Sequence, residues 1–208
     1  MNLLIHPPKL IRRAFPRYIW KINETEKVLY LTFDDGPIPE LTPWVINTLE
    51  KYNAKATFFC VGHNVFKYPD IYDMVLKNGH ATGNHTYSHL NGWKNTNEAL
   101  FSDIEKADKL IKSILFRPPY GKLTNSQMRF IARQKQIVLW DVLTRDYDKT
   151  VSHEMCYSYV EKFAKPGSII VFHDNIKATK NMQYALEKTL VNFSAKGYTF
   201  KALKTVPD

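Results

Sequence analysis

Val28-Leu29-Tyr30-Leu31-Thr32-Phe33-Asp34-Asp35-Gly36 decides how the rest of the chain reads. Its first six residues are apolar, aromatic or β-branched, the composition of a β-strand. They lack the polar alternation of a half-exposed strand, so both faces of the sheet are expected to be covered. The run then breaks into two carboxylates and a glycine. A buried strand that ends in acids predicts an α/β domain with its chemistry at the strand ends.

Working outward, short strand-like runs alternate with amphipathic helical patterns. Thr42 as N-cap and Pro43 in the first position open a helix with Val45, Leu49 and Tyr52 inward. Residues 56–60 read as a strand, 70–78 as a helix stopped by Gly79, and 80–84 as a weaker strand. Leu100, Ile104, Ala107, Ile111 and Ile114 step by three and four, the stripe of a helix on a core. Leu115-Phe116-Arg117 is a short strand, 126–134 a helix and 137–140 a strand. Ser152 caps a helix with Cys156, Val160 and Phe163 inward. Residues 168–172 form another buried strand, 182–196 a helix stopped by Gly197, and 198–201 a last strand. About seven strand–helix units in roughly 180 residues imply a parallel sheet, because parallel neighbours need helical crossovers. An open doubly wound sheet and a small barrel both satisfy this pattern.

The 208 residues suit one domain. No stretch of ~20 apolar residues spans a bilayer as a helix, and there are no repeats or low-complexity tracts. The net charge of +9 admits nucleic acid, an anionic membrane or an acidic polymer as partner. Cys60 and Cys156 lie in separate hydrophobic surroundings, so two buried thiols are expected rather than a disulfide framework. At the N-terminus Pro7 and Pro8 interrupt the apolar start after a few residues, too soon for a secretory signal. The location is therefore left open between cytoplasmic and an unrecognised export route. Residues 9–21 mix Arg12, Arg13 and Arg17 with apolar side chains. Pro16 is expected to prevent a helix there, leaving a basic packing arm.

Ionisable residues follow strand after strand: Asp34-Asp35, His85-Thr86-Tyr87-Ser88-His89, Arg117-Pro118-Pro119-Tyr120-Gly121, Asp141 through Asp146-Tyr147, and His173-Asp174. Two histidines four apart suit a metal if the segment is helical or tightly turned. Asp34 and Asp35 both qualify as the third ligand, and a two-histidine, one-carboxylate set leaves positions open for water and substrate. Because neighbours on an extended chain face opposite ways, one aspartate can hold metal while the other, held ionised by Arg117, serves as a base. A backbone N–H at Tyr120-Gly121 is a candidate oxyanion donor.

These motifs, in this order, resemble those of the polysaccharide deacetylases, the NodB-type domain of carbohydrate esterase family four. Thr32-Phe33-Asp34-Asp35-Gly36, the His85–His89 stretch, Arg117–Gly121 and Val171-Phe172-His173 carry the resemblance. It covers residues 26–204, with 1–25 as a basic arm and 205–208 as a tail. It implies a single-domain distorted (β/α)7 barrel and metal-dependent removal of N-acetyl groups from a glycan. Asp35, His85 and His89 would hold zinc, with cobalt, nickel or manganese as alternatives. Asp34 would be the general base, oriented by Arg117, and His173 the general acid, partnered by Asp146. Tyr120 would supply the oxyanion N–H, and Pro119, Tyr147 and Val171 would face substrate. The expected partner is an N-acetylated glycan of the N-acetylglucosamine-oligomer or peptidoglycan type. No nucleic acid is expected, and the protein is expected to be a monomer.

The fourth motif departs from the family. Leu143 stands where a first acid is usual, Tyr147 replaces a tryptophan, and Asp141 is the alternative partner for His173. Val171 also replaces the usual leucine of the fifth motif. Competing readings are a same-fold hydrolase of a non-glycan carbon–nitrogen bond or an O-acetyl ester, and a binding protein without catalysis. More distant are an iron oxygenase with the same ligand types and a nucleic-acid binder resting on charge alone.

Overall fold

The structure, a computed structural model, describes residues 5–204. The apolar start at 1–4 and the expected tail at 205–208 lie outside the described residues. In chain order the elements are α1 (Lys9–Ala14), β1 (Tyr18–Ile19), β2 (Val28–Asp34), α2 (Thr42–Glu50), β3 (Thr57–Cys60), α3 (Gly62–Lys67), α4 (Pro69–Lys77) and β4 (Ala81–Asn84). They continue with α5 (Asn97–Asp108), β5 (Leu115–Phe116), α6 (Asn125–Ile131), β6 (Gln136–Val138), β7 (Val142–Leu143), α7 (His153–Phe163), β8 (Ile169–His173), α8 (Thr179–Ala195) and β9 (Thr199–Phe200).

All the ladders are parallel, in the order β1-β6-β5-β4-β3-β2-β8-β7, with β9 paired to the start of β2. The two ends of this order meet in one stretch of chain. β6 pairs with β5, β7 pairs with β8, and only residues 139–141 separate β6 from β7. The sheet therefore curls onto itself as a distorted barrel, which settles the choice between open sheet and barrel. β1 fills the seam: it pairs with β6, and Lys21 beyond it bridges to Ser168 at the start of β8.

Strand β2 is buried at all seven positions, as its composition required. Its side chains alternate between two cores, because successive residues point to opposite faces. Leu29, Leu31 and Phe33 join α2, α4, α7 and α8 side chains in the outer core. Val28 and Tyr30 face a smaller interior cluster with Phe59, Leu115, Val138 and Ile169. Thr32 and Asp34 continue that inward row by the same period of two. This is why Asp34, rather than Asp35, meets what fills the top of the barrel.

Several local expectations change. The segment expected to be helix-free carries α1, which ends at Ala14, before Pro16 can obstruct it. Thr42 is not a cap: it is the first residue of α2, its Oγ accepting from the Ile38 N–H and donating to Asp174. The helix expected through Ile114 stops at Asp108. Ile111 packs on the core from the turn beyond it, and Ile114 is exposed. The stripe outlives the helix because a turn residue can face the same core. α3 and β1 are too short to give a periodic signal. Cys60 and Cys156 are buried free thiols. Among the described residues no helix is long and apolar enough to cross a membrane.

Candidate active site

Arg117 follows β5 and is completely buried inside the barrel mouth. Its Nη1 donates to Asp34 Oδ1 at 2.7 Å and to Thr32 Oγ1 at 2.8 Å, the two inward residues of β2. Its Nε and Nη2 donate to the Val138 and Leu139 carbonyls at 3.2 and 3.0 Å, and its guanidinium lies 4.1 Å over the Phe59 ring. Burial pulls the guanidinium below its ordinary value, and the Asp34 carboxylate opposes that shift. It remains a cation, since arginine does not deprotonate in proteins. Four fixed hydrogen bonds leave Asp34 one position at the head of the barrel.

Asp35 leaves the strand in a left-handed conformation, φ 85°, which turns its side chain away from Asp34. Two amides grip it there. Asn64 Nδ2 on α3 donates to its carbonyl at 2.8 Å, and Asn175 Nδ2 donates to its Oδ2 at 2.6 Å. Asp174 holds the same turn by accepting from the Gly36 N–H at 3.0 Å and from Thr42 Oγ1 at 2.5 Å. Burial pushes the Asp174 carboxyl up to about 7. A Cβ on Gly36 would lie 2.0 Å from that carboxylate, so only glycine fits.

The remaining oxygen, Asp35 Oδ1, is buried without a hydrogen bond. It lies 3.1 Å from His89 Nε2 and 3.7 Å from His85 Nε2. His85 and His89 sit on a tight turn, not a helix, with left-handed backbone at Thr86 and His89 (φ 63° and 57°). Asp103 on α5 secures that turn, accepting from the Tyr87 and Ser88 N–H groups and the Ser88 hydroxyl, each at 2.9 Å. His85 Nδ1 lies 2.7 Å from the Arg117 carbonyl, so Nδ1 carries the proton and Nε2 presents a lone pair. Burial brings this imidazole down to about 4, which keeps it neutral. Burial would raise the Asp35 carboxyl, but His89, His173 and His85 together bring it below the usual carboxylate range.

One carboxylate oxygen and two imidazole nitrogens thus lie within 4.8 Å of one another. An orphaned buried oxygen facing two fixed imidazoles fits a divalent cation, and three ligands leave room for water and substrate. The amide of Asn175 cannot turn over, because its Oδ1 accepts from the Ala178 N–H at 3.0 Å. It therefore keeps Asp35 Oδ1 aimed at the histidines. Asn175→Ala is expected to weaken zinc binding about 10- to 100-fold, the range for loss of a group that orients a ligand. Competition with a chromophoric chelator measures it.

Beside Asp34 stands His173, at the end of β8 and in register with it. Asp146 holds it twice, accepting from its N–H at 2.8 Å and lying 2.7 Å from its Nδ1. Burial alone would lower this imidazole, yet Asp146, with Asp35 and Asp34 beyond, raises it to about 9. Tyr147 packs edge-on against the ring at 4.8 Å. Asp141, the alternative partner, is elsewhere: it pairs with Arg12 of the arm and accepts from Ser168. Leu143 packs with Leu139, Trp140 and Val171, so the missing acid is replaced by apolar contact.

Tyr120 lies at the rim, its ring 4.7 Å from that of His89 and its backbone left-handed at φ 62°. Pro119 and Val171, expected to face substrate, are buried, Val171 completely. Asn64, Asp103 and Asn175 are not recognisable in the sequence as site residues, since each acts through a fold-dependent contact that no spacing announces; Asp174 is visible at a strand end, but its hold on the Gly36 turn is not.

The chain matches the polysaccharide deacetylase family over residues 21–140, and it belongs to that family. It is 35% identical over 188 residues to a peptidoglycan-N-acetylglucosamine deacetylase of Bacillus cereus, covering 87% of this chain and 88% of that one. It is 33% identical over 162 residues to a chitooligosaccharide deacetylase of Azorhizobium caulinodans, covering 74% and 77%. Among solved structures it resembles the Bc1960 peptidoglycan N-acetylglucosamine deacetylase in complex with 4-naphthalen-1-yl-N-oxidanyl-benzamide. The TM-score is 0.81 and the identity 33%, over 90% of this chain and 91% of that one. Membership in this family replaces the oxygenase reading.

Proposed function

We propose that the protein is a metal-dependent hydrolase that removes N-acetyl groups from a glycan of the peptidoglycan or N-acetylglucosamine-oligomer type. One observation carries this reading: a carboxylate paired with Arg117 and an imidazole raised by Asp146 stand in register at the ends of paired strands, next to the Asp35–His85–His89 cluster. That is the arrangement a base and an acid need about one reacting carbonyl. The names of the relatives support the substrate class.

Asp35, His85 and His89 would hold the cation, with zinc the first candidate and cobalt, nickel or manganese as alternatives. A divalent ion there supplies Lewis acidity toward the acetamide carbonyl and lowers the pKa of water. Asp34 takes the proton of the attacking water, its carboxylate fixed by Arg117 so that no reorganisation is needed. The Tyr120 backbone N–H faces the oxygen on which negative charge develops. His173 gives its proton to the sugar nitrogen as the carbon–nitrogen bond breaks, because an amine is a poor leaving group unless protonated. Tyr147 walls the acid against the substrate. The monomer acts alone, and the +9 charge attracts it to an anionic glycan surface.

The test is acetate release from N-acetylglucosamine oligomers, peptidoglycan fragments and acetylated xylan, with and without a chelator. Release from one of the first two, abolished by chelation and restored by zinc or cobalt, is expected. Release from xylan alone would favour the ester reading, and release that survives metal removal would overturn the assignment.

A further inference from the structure

Beyond the catalytic groups, one large aromatic stands exposed beside them. Trp93 is 63% exposed in the short helical turn Gly92–Lys94, which follows His89 by three residues. It is held on two sides. Asn91 Oδ1 accepts from its backbone N–H at 3.0 Å, and its indole Nε1 donates to the Leu123 carbonyl at 2.9 Å. Lys122 Nζ lies 5.1 Å over the ring. The turn also sits hard against the loop that carries Tyr120, since a Cβ on Gly92 would come within 2.6 Å of the Lys122 carbonyl. Trp93 is thereby tied to the histidine turn on one side and to the Tyr120 loop on the other. Tyr120 and Lys122 are two residues apart, a reach of no more than about 7 Å.

We infer that Trp93 is a stacking platform for a sugar neighbouring the one that is deacetylated. The inference rests on the glycan reading above and extends it, from the reacting acetamide to a substrate that must continue along the chain. Four physical points carry it. A buried indole fills a core, whereas this one keeps its ring in water although exposing apolar surface is unfavourable. Its polar N–H is already satisfied by Leu123, so the ring needs nothing further from a ligand but a face. That face is electron-rich, and the axial C–H groups of a pyranose, weakly positive, are the complementary surface. The indole is also fixed before binding, which spares the entropy of ordering a flexible contact. Tyr120, two residues before Lys122, is itself exposed with its ring against that of His89.

The experiment compares N-acetylglucosamine dimer and tetramer as substrates for wild type, Trp93→Ala and Trp93→Phe. Loss of one stacked ring is expected to raise KM for the tetramer about three- to tenfold with kcat within about twofold. The advantage of tetramer over dimer should disappear, and phenylalanine should restore most of it. As a binding readout without turnover, titration of tetramer into Asp34→Asn should weaken by the same factor when Trp93→Ala is added. If wild type releases acetate from the oligomers while Trp93→Ala keeps its KM and its tetramer preference, the platform is wrong and the deacetylase reading stands. If only peptidoglycan fragments release acetate, the same comparison is made on two- and four-sugar fragments with the same outcomes; if wild type releases acetate from neither substrate, both readings fall.

Discussion

Asp34→Asn should lower acetate release by about 10²- to 10⁴-fold, the usual contribution of a positioned general base, with zinc affinity close to that of wild type. The geometry separates the two effects. Asp34 and Asp35 are adjacent, but Asp34 points down the barrel to Arg117 and Asp35 turns out to the histidines. Asparagine keeps an oxygen to accept from Arg117 Nη1, so the guanidinium retains its other protein contacts and that one. What it loses is a charge partner. Removing the acceptor as well, in Asp34→Ala, also takes a hydrogen-bond partner from the fully buried Arg117 Nη1, a further destabilisation of about 1–3 kcal/mol. The asparagine variant should therefore be inactive but folded, and the alanine variant inactive with a lower urea midpoint. Metal content by elemental analysis, urea unfolding and single-turnover acetate release decide the case. An asparagine variant that turns over at the wild-type rate ends the assignment of Asp34 as base.

The contrast between these neighbouring aspartates also marks where the sequence is legible. A buried strand running into two acids and a glycine is enough to foresee a parallel α/β sheet with its chemistry at the strand ends. Periodicity alone does not distinguish barrel from open sheet, because closure depends on residues 136–143 pairing with β5 through one half and β8 through the other. The histidine pair is visible as a spacing. Its geometry is not, since the turn depends on the left-handed backbone at Thr86 and His89 and on Asp103. Asn175 reaches Asp35 across 140 positions of sequence, and Asn64 does so from a helix too short to show a period. Supporting contacts of this kind come from polar side chains with no pattern of their own. Asp141 and Asp146 are rival partners for His173 on sequence, and the arm decides between them by placing Arg12 against Asp141.

Asp146 is the residue through which a pH profile can read the acid. In the proposed role of general acid His173 would act only when protonated, so the rate should fall as pH rises through its pKa, near 9 in the free protein. Burial works against the charged ring, and the carboxylate of Asp146 is the principal group that reverses this. In Asp146→Asn the amide oxygen still accepts a hydrogen bond but carries no charge. The imidazole pKa should then drop to its ordinary value of about 6.5 or lower. The basic limb of kcat/KM moves acidward with it. At pH 8 the protonated fraction falls from nearly all to about one part in thirty, so the variant should lose roughly thirtyfold there. Near pH 6 most of that loss should vanish. A variant that merely misplaces His173 loses the same factor at both pH values, and that pH-independent result would show that Asp146 does not set the proton affinity of the acid. Proton transfer to the amine is the step that feels the change, so substrates with better leaving groups should be less affected. An activated aryl ester of acetic acid, whose leaving group needs no proton, should be hydrolysed by Asp146→Asn with little of the pH 8 defect seen on the glycan amide.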